Sequence, residues 1–162
     1  MNGAHLHLLF NHLPVVGMVG AAAVLAVAVA SRSDDVRRLA LVVLLLTGIS
    51  ALPAYFTGEG AEGVVKHLPG VVQDRIEEHE ASGKWALGVA IVAGAFALGA
   101  LVARRGKPVG RGLATAALVL ALFGVAVFAR TATLGGEIRH EEIRKGFVPP
   151  APPPGQPQPE TD

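Results

Sequence analysis

The stretch HLHLLFNH, residues 5–12, places His5, His7 and His12 at the entrance to an almost wholly aliphatic run, and His67, His79 and His140 follow further along the chain. Neutral imidazole is the commonest side-chain ligand for zinc, copper and iron, and two imidazoles from different helices suffice to hold haem b. Carboxylates accompany the later histidines: Glu59 and Glu62 in TGEGAEG, Glu77, Glu78 and Glu80 around His79, and Glu137 ahead of His140 in GGEIRHEEI. Glu137 and His140 are three positions apart, so a helix would turn both to one side, as metal ligands in helical bundles are turned. A carboxylate-bridged di-iron centre needs two such pairs, and this chain has one.

The candidates are not equivalent. His12, His79 and His140 stand close to expected helix ends with acids or asparagine at hand to fix an imidazole tautomer, and they are the preferred ligands. His67 precedes Leu68-Pro69 and is equally well a ligand or an interfacial residue, whereas His5 and His7 read as polar groups at the water boundary. Two cofactor chemistries fit the set. Haem b would take its axial ligands from His12, His67, His79 and His140, with Arg130 at the edge for a propionate. A single Cu, Zn or Fe ion would use His12, His79 and His140 with Glu137 or Glu59. The leading expectation is a haem- or metal-binding subunit in electron transfer; the competing one is an accessory or pH-responsive protein without a cofactor.

Other classes fall away. With no cysteine, thiolate zinc, iron–sulfur clusters, disulfides and covalent haem attachment are excluded. No nucleotide-binding motif, phosphate-cradling glycine loop or Ser-His-Asp pattern is present, which disfavours a conventional enzyme of soluble substrates. The net charge of +1 gives no reason to invoke nucleic acid. No acid or lysine lies deep inside an apolar run, so a transmembrane proton path lacks stepping stones.

The elements that must position these residues are set by hydropathy. The 162 residues are 51% hydrophobic and 17% charged. Four runs, about 8–30, 39–57, 85–103 and 112–130, approach the roughly 20 apolar residues that cross a bilayer as helix. The expected fold is all-α: a four-helix transmembrane bundle over residues 1–147, followed by a proline-rich tail, 148–162, that cannot build a core. Abundant glycine and alanine in the runs allow close helix approach in lipid.

The short connections SRSDDVRR and RRGKPVGR hold seven basic and two acidic residues, against seven basic and eleven acidic elsewhere. Both should be cytoplasmic, which puts the two termini on the periplasmic side of an inner membrane together with all six histidines. No basic residue precedes the first run and three arginines follow it closely, so it is expected to be a retained helix and not a cleaved leader. Between Glu59 and Lys84 a short amphipathic helix is expected, then a break at Pro69-Gly70 and a second helix leading into the third span. NHLPVVG is echoed by KHLPGVV at 66–72, a hint of two like hairpins in which His12 matches His79 and His67 matches His140. Expected partners are the lipid bilayer and a membrane or periplasmic redox protein, with a homodimer left open.

NHLPVVG, TGEGAEGVVKHLPGV, EEHE and GGEIRHEEI together resemble a group of small four-span bacterial membrane proteins with no assigned reaction. More loosely, they are similar to a broader membrane family suspected of binding haem b. The likeness covers residues 1 to about 145. It implies that His12, Glu59, His67, His79, Glu137 and His140 belong to the motif stretches, without saying what they bind.

Overall fold

The computed structural model describes residues 1–150, so all but the first three positions of the expected tail, 148–162, lie outside the described residues. The chain is all-α. Helix α1 (Gly3–Phe10) runs into α2 (His12–Ala30) through Asn11, and α3 (Asp34–Phe56) runs into α4 (Gly58–Val65) through Thr57. Two longer helices, α5 (Gln73–Ala103) and α6 (Arg111–Arg139), precede a short 3-10 turn at Glu141–Ile143. Four helical stretches, Gly3–Ala30, Asp34–Val65, Gln73–Ala103 and Arg111–Arg139, are long and apolar enough to cross a membrane. This is a multi-pass membrane protein, and its helices outrun the apolar runs chiefly at the end where the histidines lie.

Proline stands near both interruptions. Pro14 has no N–H to give to the Phe10 carbonyl, and α1 ends at Phe10; Pro53 inside α3 likewise frees the Ile49 carbonyl just before the chain turns at Thr57. The Thr57 hydroxyl donates to the Pro53 carbonyl at 2.7 Å, which helps close that end. Gly70, in the left-handed region at φ +77, makes the expected break between α4 and α5.

The helices pack in the ring α2, α3, α5, α6, each touching its two neighbours, with α1 laid against α4. Their inward stripes are made of small residues. Pro14, Met18, Ala21, Ala22, Leu25 and Ala28 are buried on α2, and the positions 72 residues later, Ala86, Ala90, Ala93, Gly94, Ala97 and Ala100, are all buried on α5. Likewise Ala40, Leu44, Thr47 and Ala51 of α3 are matched 77 residues later by Ala117, Ala121, Gly124 and Phe128 of α6. The molecule is therefore two like hairpins related by an approximate two-fold along the bundle axis. The register differs from the one the sequence echo suggests: it equates His79 with His7, not with His12.

Backbones approach closely at glycine. A Cβ on Gly48 would stand 2.8 Å from the Ala90 carbonyl oxygen and 3.0 Å from Gly94 Cα, so the α3–α5 seam admits only hydrogen there. Gly3 meets Gly60 in the same way where α1 crosses α4.

One end of the bundle is basic and tightly clasped. Asp34 opens α3, accepting from Arg38 at 2.7 Å and from the Val109 amide, and Arg38 also donates to the carbonyls of Arg104 and Lys107. Arg37 donates to the carbonyls of Ala28, Ser31 and Val109. Together they tie connection 31–33 to connection 104–110. All six histidines lie at the opposite end.

Candidate functional site: an imidazole pair on the bundle axis

The inward stripe of α2, followed back one turn at a time from Met18 through Pro14, reaches Asn11 and then His7. His7 is half-buried, whereas His5 and His12 project from the other side of the same helical path and are exposed. On α5 the stripe Ala90, Ala86, Ser82 reaches His79, also half-buried. The two helices stand diagonally across the ring, so these imidazoles meet near the axis. Their ring centres are 6.4 Å apart and the planes are inclined by 83°.

Each ring is held in the same way by the second helix of its own hairpin. Nδ1 of His7 lies 3.0 Å from the Ala54 carbonyl oxygen and 3.2 Å from the Thr57 hydroxyl; Nδ1 of His79 lies 3.0 Å from the Thr131 carbonyl oxygen. A carbonyl can only accept, so Nδ1 carries the proton in both rings and Nε2 keeps its lone pair when the ring is neutral. Ala54 and Thr131 are equivalent positions in the 77-residue register. So are Gly58 and Gly135: a Cβ on Gly135 would meet His79 Cε1 at 2.9 Å, and one on Gly58 would meet His7 Cε1 at 3.9 Å.

The surrounding hydroxyls are already committed. Thr131 donates to the Val127 carbonyl at 3.0 Å, which leaves Ser82 to donate to Thr131 at 2.7 Å. Arg75 bridges Glu78 at 2.8 Å and Glu137 at 3.2 Å, tying the start of α5 to the end of α6.

The residues chosen from sequence are distributed differently. His79 lies in the pair. His12 is exposed, its Nδ1 3.4 Å from the Leu8 carbonyl oxygen. His67 is exposed in the turn after α4, and Glu59 is exposed in the first turn of α4. His140 is exposed past α6, where Nδ1–H donates to Glu142 at 2.8 Å. Glu137 serves Arg75, and Arg130 is exposed one position before Thr131. Among the described residues no group of three or more histidines and acids gathers closely enough to hold a metal ion. Glu142 has its carboxyl held below the usual range by a hydrogen bond from its own amide and by the His140 donor.

His7 is the residue that sequence reasoning passed over. The available signal was the stripe Met18, Pro14, Asn11, His7, which keeps helical spacing through the kink.

Two surface hollows lie elsewhere. One of about 450 Å³ is lined by Asn2, Ala4, His5, Leu8 and Leu9, and a groove of about 140 Å³ runs between α3 and α5 beside Gly48 and Gly94. Neither borders an imidazole of the pair. No family model matches this chain, and no curated protein or solved structure does either.

Proposed function

We propose that this protein is a multi-pass membrane protein that binds a transition-metal ion at one end of its bundle through the Nε2 atoms of His7 and His79. The carrying observation is that both rings have Nδ1–H fixed on a backbone carbonyl, with centres 6.4 Å apart. Such carbonyl bonds are the usual partners of ligating histidines, since they set the tautomer and raise the basicity of the other nitrogen. Two imidazoles gripping one ion at about 2.0–2.1 Å from opposite sides have ring centres roughly 6 Å apart. Imidazole suits zinc, copper, iron and nickel, and two protein ligands leave further coordination positions open for water or a transferred group.

Haem b would use the same two nitrogens. A macrocycle would also need a flat slot between the rings, and α1 packed on α4 together with the continuous ring of helices favours a single ion. A second reading, a proton-responsive contact without a cofactor, is favoured by one fact: protonating both half-buried rings sets two like charges side by side. For orientation, the seven basic residues of the clasped end support a reading in which that end faces the cytoplasm and the histidine pair lies at the outer face of a cytoplasmic membrane.

Detergent-purified protein, analysed for metals and by absorption spectroscopy, tests the proposal. One ion per chain, lost in His7→Ala and in His79→Ala but kept in His12→Ala and His140→Ala, is the expected result. A Soret band would transfer the site to haem. No bound metal after exposure to Zn(II), Cu(II) and Fe(II) would leave the proton-responsive reading.

A further inference from the structure

Asn11 lies four positions after His7 on the same helical face, about 6 Å along the axis. Its Oδ1 is buried and has no hydrogen-bond partner, the one such side-chain nitrogen or oxygen among the described residues. Nor does Asn11 cap α2, the usual employment for asparagine at a helix start. A buried carbonyl left unpaired is costly, and in native proteins such a group marks a missing donor.

No donor remains nearby to satisfy it. The His7 and His79 Nδ1–H groups are spent on Ala54 and Thr131, Thr131 donates to Val127, Ser82 to Thr131, and Thr57 to Pro53. Beside the two Nε2 lone pairs, one amide oxygen is left without a partner. A hydrated cation satisfies all three at once, since the ion takes the two lone pairs and a water on it donates to the amide oxygen.

Resting on the two-histidine reading above, we infer that the site takes a hydrated divalent cation, bound directly by His7 and His79, with Asn11 accepting a hydrogen bond from a water on the ion. The approximate two-fold places Gly83 opposite Asn11, so only one side of the pair carries this acceptor and the water has one seat. A bare two-coordinate Cu(I) ion has no such water and would gain nothing from Asn11.

The test is the affinity of full-length protein in detergent for Zn(II) and for Cu(I). Losing an outer hydrogen-bond partner of a metal site typically costs 10- to 100-fold in affinity. Asn11→Leu should weaken Zn(II) binding by about tenfold or more and leave Cu(I) binding unchanged, while Asn11→Asp, which keeps the acceptor, should restore Zn(II) affinity. Circular dichroism on each variant verifies that the helices persist. Equal Zn(II) affinity in wild type and Asn11→Leu, with binding still lost in His79→Ala, overturns the role of Asn11 and spares the histidine site. Wild type that binds neither ion overturns both.

Discussion

His7 and His79, 72 residues apart, occupy equivalent places in two hairpins and meet across the bundle axis with ring centres 6.4 Å apart and planes inclined by 83°. Each imidazole is aimed by a carbonyl from its partner helix, so the pair is a product of how the hairpins are built and not of a local sequence motif.

Gly135 sets the seat of His79, since a Cβ there would press on the ring at 2.9 Å. Gly135→Ala should displace the imidazole, lower metal affinity and cost about 1–2 kcal/mol of stability through crowding. Gly58→Ala meets His7 only at 3.9 Å, an ordinary contact, and should bind metal as wild type does. Zinc titration and thermal unfolding of the two variants check this.

At the α3–α5 seam the obstacle is backbone. Gly48→Ala forces its Cβ against the Ala90 carbonyl and Gly94, neither of which can rotate away, and should destabilise the bundle by about 1–3 kcal/mol. Gly20→Ala, with open space around it, should be neutral. Unfolding in a detergent-denaturant series compares them.

The basic end depends on Asp34, whose carboxylate serves both Arg38 and the Val109 amide. Asp34→Ala should strand these donors and expose the 104–110 connection to protease. Limited trypsin digestion, read at Arg104, Arg105 and Lys107, should show faster cleavage than in wild type.

Glu142 gives the histidine end a pH-dependent contact. Its carboxyl is depressed by its own amide and by His140, so the bond to His140 is present above the ordinary carboxylate range and is lost as pH falls through the folded value. The protection of the amides at 141–144 against hydrogen exchange, each rate taken relative to its intrinsic value at that pH, should fall on acidification, and in Glu142→Gln it should be low and unchanged over that interval.

The bundle was legible because lipid makes hydropathy nearly decisive: the four spans and the break at Pro69-Gly70 follow from composition and from proline and glycine alone. The site was less so. His12 lies nearer the hydrocarbon than His7, and an imidazole at that depth reads as the costlier and more purposeful one. The inward direction, however, is fixed by the phase of the stripe through Met18 and Pro14, and that phase selects His7. The aiming groups, the Ala54 and Thr131 carbonyls, are backbone atoms and leave no trace in residue identity. The sequence echo NHLPVVG/KHLPGVV drew attention to a register that the packing does not use.

The claim that two imidazoles share one ion is tested most directly by electron paramagnetic resonance of Cu(II)-loaded protein carrying 15N-histidine. Coupling to two histidine nitrogens is expected in wild type and in His12→Ala and is lost in His7→Ala and in His79→Ala. A spectrum without histidine coupling, or one that neither His7→Ala nor His79→Ala alters, would contradict the account.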